Sequence, residues 1–346
     1  MVCIQRCECE VFFGRAAAMV EWKIALELVR GKELGLLRPP LPFPLEMREL
    51  FSSLQIFEPW RPDVLRWQKH GARVFHDMAE AAPVSEVIVV PTRSRVESLA
   101  LIAQALRWAG TEGRVHFVCA NGAGARGYLA HLSKLLRPFE AESKSKCRYF
   151  SFGLADVQDH RVLSEWESAG AALETEGLWS AAGVYGHGKI DAGSKLLVEH
   201  LPELRGVGAD LGAGVGYLSK MLLGKGPALA IHLLEADARA LLCAERNLAA
   251  YPTARFHWCD VLQETPVAEK SLDWVIMNPP FHEGDQQARS LGESFIRRAA
   301  RLLRAGGELV MVANSFLAYE DVLAEEFTQV SRLAQADGFK VLHAQR

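Results

Sequence analysis

The chain has 346 residues, of which 49% are hydrophobic, 23% charged and 9% aromatic, and its formal net charge is −3. This composition excludes a disordered chain, a collagen and a coiled coil, and at roughly 100–200 residues per domain the length predicts two domains. Acidic and basic side chains balance in the first half of the chain, which argues against a protein that coats nucleic acid non-specifically.

Apolar runs and cysteines bear on location and metal content. No apolar run approaches the ~20 residues that span a bilayer, and residues 1–20 lack the uninterrupted apolar block of a signal peptide. The total of seven cysteines is odd, and Cys3, Cys7 and Cys9 have the spacing of neither a zinc site nor an iron–sulfur site. We therefore expect a cytoplasmic protein with no membrane contact and no metal.

Regular structure in the first half is predicted from Glu86 onward. Before it, the prolines of Leu36–Pro44 are expected to interrupt any helix or strand. After it, strands and helices alternate in the order that is typical of a parallel α/β sheet. The predicted elements are a strand at Val87–Val90, a helix ending at Ala109, a strand at Arg114–Ala120, a glycine-rich loop at Asn121–Gly127, a helix ending at Arg137 and a strand at Arg148–Phe152.

Residues 153–185, with a helical segment at Val162–Ala172, are predicted to connect this half to a second α/β unit. Strands of that unit are predicted at Gly206–Leu211, Ala228–Leu234, Ala254–Cys259, Ser271–Met277, Glu308–Ala313, Gln329–Leu333 and Phe339–Leu342. Helices are predicted at Ser194–Leu204, Tyr217–Leu223, Ala238–Ala250, Ser294–Arg304 and Phe316–Glu326.

The two halves look like an imperfect internal duplication, because both are α/β units and each carries a glycine-rich loop. Only the second half is predicted to have acidic residues directly after its strands. Ligands of an open parallel sheet bind beyond the carboxyl ends of the strands. We therefore expect the chemistry in the second half.

The glycine-rich loop of the second half follows its first strand, with Gly212, Gly214 and Gly216 preceded by Asp210. Such loops let backbone approach a ligand closely, and dinucleotide enzymes use them to bind a pyrophosphate. A carboxylate at Asp210 would repel a pyrophosphate but would attract the cationic amino group of S-adenosylmethionine. The loop therefore favours S-adenosylmethionine as the cofactor.

Two further acids follow the next two strands. Glu235 is placed to accept hydrogen bonds from both ribose hydroxyls of such a cofactor, and Asp260 to accept one from the adenine amino group. A structural turn with a chance acid would explain one of these three features but not all of them.

Asn278-Pro279-Pro280-Phe281 follows another strand and carries the predicted catalysis. The prolines remove two backbone donors, so the Asn278 side-chain oxygen and the Pro279 carbonyl are able to accept both hydrogens of a planar amino group. Phe281 offers a ring on which the base can stack. This pattern predicts methyl transfer to a positioned nitrogen, with catalysis by orientation and electrostatics.

These motifs resemble those of the ribosomal RNA small subunit methyltransferase C family, which methylates guanine N2 in 16S rRNA. The resemblance also rests on segments 190–194, 306–308 and 312–317. It implies an α/β fold with two tandem Rossmann-like methyltransferase domains, in which the C-terminal domain has a mostly parallel seven-stranded sheet. It further implies that residues 1–180 form a degenerate domain for substrate recognition and support, that residues 181–346 form the catalytic domain, and that Asp191 lies in a loop over the cofactor.

The expected activity is methyl transfer from S-adenosylmethionine to the exocyclic N2 amine of a guanine in 16S rRNA, by a monomer acting on the small ribosomal subunit. Guanine N2 of 23S rRNA remains open, as does another planar amine, such as adenine N6 or a glutamine amide. A nicotinamide dehydrogenase and a non-catalytic ribosome-binding protein are further alternatives.

Two groups of cations are candidates for contacting RNA phosphates, although such groups are more often a solvated surface. The first group lies on one predicted helix and comprises Arg289, Arg297, Arg298, Arg301 and Arg304. The second group comprises Lys144, Lys146 and Arg148.

Overall fold

The structure is a computed structural model that describes residues 24–25, 29, 33–39, 54–226, 229–264, 266–280 and 286–346. Contacts divide these residues into two compact units, the first ending at Ala172 and the second beginning at Leu173. In the described part of the chain, no helix has the length and apolar character needed to cross a membrane.

The first unit contains a seven-stranded sheet in the order β3-β2-β1-β4-β5-β7-β6, in which only β7 is antiparallel to its neighbours. Its strands are β1 Leu34–Leu37, β2 Leu54–Phe57, β3 Arg73–Phe75, β4 Glu86–Val89, β5 Arg114–Ala120, β6 Glu142–Lys144 and β7 Cys147–Phe152. Its helices are α1 Arg61–Lys69, α2 Arg95–Ala109, α3 Ala125–Leu135 and α4 His160–Gly170.

Two predictions about the first unit are wrong. Leu36 and Leu37 end a buried strand, although they belong to the segment that was expected to interrupt regular structure. The proline-rich remainder of that segment lies outside the described residues. The helical segment predicted inside the connector is α4, and it packs against α2 as part of the first unit, with Leu163 and Trp166 buried.

The second unit begins with a hairpin, followed by a sheet in the order β12-β11-β10-β13-β14-β16-β15, in which only β16 is antiparallel. The strands are β8 Leu173–Thr175 and β9 Leu178–Ser180 in the hairpin, then β10 Gly206–Leu211, β11 Leu229–Glu235, β12 Ala254–Trp258, β13 Leu272–Met277, β14 Leu303–Asn314, β15 Gln329–Ala336 and β16 Phe339–Gln345. The helices are α5 Ala192–Glu199, α6 Tyr217–Leu223, α7 Ala238–Asn247, α8 Gln286–Leu302 and α9 Glu320–Glu326. The predicted fold class is confirmed.

Burial on both faces explains the central strands of the second sheet. β10 and β13 are nearly continuous apolar runs, as expected for parallel strands covered by helices on each side. The fully buried Trp274 of β13 packs directly against Gly208 of β10, where a Cβ would lie 2.0 Å from the indole. This close approach requires glycine and fixes β13 beside β10, so that the residues after both strands lie at the same edge.

The two sheets have the same strand order and the same register, which is what an internal duplication predicts. In the first, Leu37 pairs with Phe57 and Val89; in the second, Leu211 pairs with Leu234 and Met277. The residues that follow these strands are therefore equivalent in the two units. The equivalent pairs are Arg38 and Gly212, Glu58 and Glu235, and Val90 and Asn278.

Candidate active site

The glycine loop after β10 depends on left-handed backbone. Gly212, Gly214 and Gly216 have φ values of +72°, +55° and +79°, which side chains other than glycine rarely adopt. The amides of Gly212 and Ala213 both donate to the Leu234 carbonyl, at 2.9 and 3.2 Å. The loop is thereby folded back over the end of β11, with Gly212 exposed and Gly214 half-buried.

Asp210 ends up fully buried at this edge. Its Oδ2 accepts a hydrogen bond from Ser219 Oγ at 2.7 Å, whereas its Oδ1 has no hydrogen-bond partner among the described residues. Burial raises the pKa of Asp210 to about 7, in spite of the bond from Ser219. A buried carboxylate oxygen without a donor is costly, so this atom is placed to receive a cationic donor from a ligand.

Glu235 ties the glycine loop to the start of α7. Its Oε2 accepts from the Gly214 amide and its Oε1 from the Asp237 amide, both at 2.7 Å. Burial raises the pKa of Glu235 to about 7, against the lowering effect of these two backbone donors. Asp237 in turn caps α7 and pairs with Arg239, at 2.6 Å, so the Glu235 carboxylate is held in one orientation with lone pairs to spare.

Asp260 follows β12 and is also buried, but its carboxylate already has partners inside its own turn. Oδ1 accepts from the Leu262 amide at 3.0 Å, and Oδ2 accepts from the Gln263 side chain at 2.5 Å. The structure thus places Asp260 beyond the expected strand, as a residue that also stabilises the turn. Its contact with an adenine remains a prediction.

Asn278 is half-buried directly after β13, with an oriented carboxamide. Its Nδ2 donates to Asp191 Oδ2 and to Ser194 Oγ, both at 2.9 Å. Both amide hydrogens are used in this way, and no donor in the described part of the chain reaches Oδ1. The side-chain oxygen is therefore directed away from Asp191 and is available as an acceptor.

Asp191 has a local role in addition to the one predicted for it. It is the N-cap of α5, where its Oδ2 accepts from the Ser194 amide at 2.9 Å, and the same oxygen receives Asn278. Pro279 is buried and Pro280 half-buried after Asn278, whereas Phe281 lies outside the described residues.

Sequence reasoning missed several residues that shape the site: Ser194, Ser219, Asp237 and Asn247. Two of them, Ser194 and Asp237, carry helix-cap signals: the Asp-x-x-Ser spacing at 191–194 and the aspartate directly before α7. Asn247 bonds the Trp179 backbone and the Val215 carbonyl, and so fastens the β8–β9 hairpin beside the glycine loop. Nothing local in the sequence signals that contact.

The equivalent edge of the first unit corrects another prediction, because an acidic residue, Glu58, follows β2 there. Glu58 is fully buried and accepts from the Trp60 amide at 3.0 Å, just as Glu235 accepts from Asp237. The position of Gly212 is taken by Arg38, which has a φ of +47° and pairs with Glu58 and Glu97. A buried ion cluster therefore occupies the edge where the second unit has its glycine loop.

Most arginines of α8 are engaged within the protein. Arg297 pairs with Glu325 and Glu326, at 2.7 and 2.6 Å, and Arg289 pairs with Glu293. Arg298 is buried and donates to the Glu264 carbonyl, and Arg304, which lies in β14 and not on the helix as predicted, pairs with Asp273. These four side chains stabilise the second unit, which leaves little charge on this helix for RNA.

The fold and this site define a class of protein, the methyltransferases. Residues 176–343 match the family model of the methyltransferase small domain. This range contains β9, the second sheet except for the last two residues of β16, and the site residues of the second unit from Asp191 to Pro280.

Proteins of similar sequence identify the family within the methyltransferases. The ribosomal RNA small subunit methyltransferase C of Pseudomonas paraeruginosa is 31% identical over 265 residues, which cover 75% of this chain and 78% of that protein. The Vibrio vulnificus protein of the same name is 26% identical over 88% of this chain and 91% of its own. The chain belongs to the ribosomal RNA small subunit methyltransferase C family.

A solved structure has a similar fold over almost the whole chain. It is the 16S rRNA N2 G1207 methyltransferase of T. thermophilus in complex with AdoMet and guanosine, with a TM-score of 0.76. It is 24% identical and covers 94% of this chain and 92% of its own.

Proposed function

We propose that this chain transfers a methyl group from S-adenosylmethionine to the exocyclic N2 amine of a guanine in 16S rRNA of the small ribosomal subunit. The observation that carries the proposal is the oriented carboxamide of Asn278, whose two amide hydrogens are used by Asp191 and Ser194. The names of the relatives support the substrate. The test is incubation of unmodified small and large subunits with the protein and labelled S-adenosylmethionine, followed by identification of the modified nucleoside.

The residues at the edge of the second sheet fit this cofactor. The buried Asp210 Oδ1 has no donor among the described residues, and Gly214 of the adjacent loop has open space where a Cβ would lie. We assign Asp210 to the cationic amino group, Glu235 to the ribose hydroxyls and Asp260 to the adenine amine, while Gly212, Gly214 and Gly216 let the ligand approach the backbone. When bound, S-adenosylmethionine supplies an electrophilic methyl group.

Asn278 and Pro279 act on the other reactant. The Asn278 Oδ1 and the Pro279 carbonyl accept the two hydrogens of the guanine amine, which orients the nitrogen lone pair and stabilises the positive charge that develops on nitrogen. Asp191 and Ser194 hold the Asn278 amide in the orientation that presents its oxygen. The target base must leave its stack to reach this edge, as other base-modifying enzymes require. Stacking on Phe281 and a cofactor contact of Asp191 remain predictions.

The outcome of the subunit experiment distinguishes related activities. Label in N2-methylguanosine of the small subunit supports the proposal. Label in the large subunit alone would mean that the substrate is 23S rRNA and not 16S rRNA. Methylated adenine or glutamine would retain the chemistry of Asn278 but change the substrate. Tight binding of NAD without binding of S-adenosylmethionine would contradict the proposal altogether.

We further propose that residues 1–180 are a degenerate domain for substrate recognition and support and that residues 181–346 are catalytic. The division of contacts into two units and the ion cluster of Arg38 in the first unit support two domains with different tasks. A monomeric state and a cytoplasmic location remain predictions.

Cofactor affinity should depend on pH near neutrality. The pKa values of Asp210 and Glu235 are both raised to about 7 by burial, and the ligand groups assigned to them favour the ionised carboxylates. We expect the Kd for S-adenosylmethionine, measured by calorimetry, to rise about tenfold or more between pH 7.5 and pH 6. Asp210→Asn should flatten part of this dependence, and a constant Kd across the range would contradict the assignment.

The same carboxyls link folding to pH. Because their folded pKa values lie above the ordinary values near 4, they contribute stability that is present below about pH 4 and is lost as the pH rises through about 7. Because S-adenosylmethionine is expected to bind the ionised carboxylates more tightly, its addition should raise Tm more at pH 7.5 than at pH 6.

Ser194→Ala should separate positioning from folding. The Ser194 amide remains capped by Asp191, so only the hydroxyl bond to Asn278 is lost. We expect kcat to fall by about three- to tenfold with an unchanged Kd for S-adenosylmethionine and an unchanged Tm. Ser194→Thr, which keeps a hydroxyl, should recover most of the rate; equal rates for all three proteins would contradict the positioning role.

A further inference from the structure

Five cations lie on neighbouring loops at the carboxyl edge of the first unit's sheet. Arg93 and Arg95 follow β4, Arg126 follows β5, and Lys146 and Arg148 belong to the β6–β7 hairpin. The strand order β4-β5-β7-β6 makes these loops adjacent, and the Asn121 amide donates to the Lys146 carbonyl at 2.8 Å. We name these five side chains the edge patch.

The edge patch is a surface of one sign. Segments 90–96, 121–127 and 145–148 contain no aspartate or glutamate. Of the nearest acids in the sequence, Glu97 is buried against Arg38 and Thr92, and Glu142 accepts from Tyr149 Oη at 2.8 Å. Four of the five cations are exposed and Arg148 is half-buried, and none forms an ion pair with another residue that the structure describes.

The pKa of a neighbouring histidine is consistent with positive charge at this edge. The pKa of His131 on α3 is lowered, first by burial and then by the charges of Arg95 and Lys134. The five arginines predicted on one helix in the second unit differ from the edge patch, because four of them have partners within that unit. In the group beside β7, Lys146 and Arg148 form no ion pair with a described residue and are therefore available to a partner.

The hairpin turn that presents Lys146 is conformationally unfavourable. Ser145 and Lys146 have φ values of +49° and +64°, whereas the turns of the other two hairpins place Gly177 and Gly338 at the second position. A lysine is less favourable than glycine in left-handed backbone, because its Cβ approaches the carbonyl oxygen. A position where glycine would fold more easily thus carries a cation.

We propose that the edge patch binds phosphates of the rRNA substrate and so positions the small subunit on the first unit. This inference rests on the proposed function and adds the face that contacts RNA. Phosphate contacts fix orientation without reading sequence, and a local patch on a chain of net charge −3 supplies them without general affinity for nucleic acid.

The test uses the full chain carrying Arg95→Gln, Arg126→Gln and Lys146→Gln. We expect KM for small subunits to rise on the order of tenfold or more, and the slope of log KM against log salt concentration to fall by about 2–3, since each phosphate contact contributes about 1. The kcat at saturating subunits and the Kd for S-adenosylmethionine should not change. The matched control replaces three ion-paired arginines, Arg289, Arg297 and Arg304, with glutamine and should leave KM and its salt slope unchanged.

Binding of small subunits without S-adenosylmethionine separates the two proposals. If the unaltered chain methylates small subunits but the triple variant keeps the original KM and salt slope, the edge patch is refuted and the proposed function is not. If the variant binds more weakly with an unchanged salt slope, the partner is not phosphate and the inference is again refuted. If no subunit is methylated, the proposed function fails, and the salt slope of binding still decides the edge patch. Arg126→Glu alone should weaken binding more than Arg126→Gln.

Discussion

Asn278→Ala is expected to lower kcat for methyl transfer by about 10²–10³, with little change in the Kd for S-adenosylmethionine. The substitution removes the one carboxamide oxygen that the described structure presents to the amine, and loss of a single preorganised group of this kind has effects of that size. The loss should appear in kcat, because the contact strengthens as charge develops on nitrogen. Single-turnover methylation of small subunits measures the rate, and calorimetry measures cofactor binding.

Val90→Ala is the matched control for Asn278→Ala. Val90 occupies the equivalent register position of the first unit and is buried, so its truncation produces a packing defect without removing a polar group. It should lower Tm without affecting kcat. If Asn278→Ala retained the full rate, the proposed mechanism would be wrong, whatever the substrate.

Glu235→Ala is expected to raise the Kd for S-adenosylmethionine by about 100-fold, since two hydrogen bonds to a charged acceptor are lost. The variant also frees the amides of Gly214 and Asp237, so the glycine loop loses its connection to α7. Because the buried carboxyl has a pKa near 7 and destabilises the unliganded fold at high pH, the Tm of the variant without ligand should change little. The rise in Tm on adding S-adenosylmethionine should disappear.

Glu245 provides the comparison for that variant. It lies exposed on α7, ten residues further along the chain, and Glu245→Ala removes the same charge without touching the loop. Its Kd should equal that of the unaltered chain. A Glu235→Ala protein that bound S-adenosylmethionine normally would remove Glu235 from the cofactor site.

The second unit was predictable because its local signals agree with its tertiary structure. β10 and α6 begin and end at the predicted residues, since the first is an apolar run bounded by glycines and the second starts after Gly216. β1, β2 and β3 were not predicted, because strands of only three or four residues are too short to show a recognisable alternation. Helix ends were less accurate: α5 ends at Glu199, before Pro202, although the prediction extended it to Leu204.

The candidate site was predictable as a set of strand-end residues, but the contacts among them were not. Asp191 and Asn278 are 87 residues apart, and their hydrogen bond exists only because α5 packs on β14, the neighbour of β13 in the sheet. The same limit applies to α8, whose arginines find acids about 30 residues away in the sequence. The positions of charged residues in a sequence do not show whether they form ion pairs within the protein or lie on a surface that binds another molecule.

Arg38 shows how buried acids at the edge of a sheet can be neutralised from within the chain. Its guanidinium provides, from within the chain, a positive charge for the buried acids Glu58 and Glu97, at the position where the second unit has a glycine. Glycine and arginine codons can differ by a single base, so one substitution can both close a ligand site and neutralise the carboxylate left behind. The copy is then released from selection for binding, and its surface is free to acquire another task.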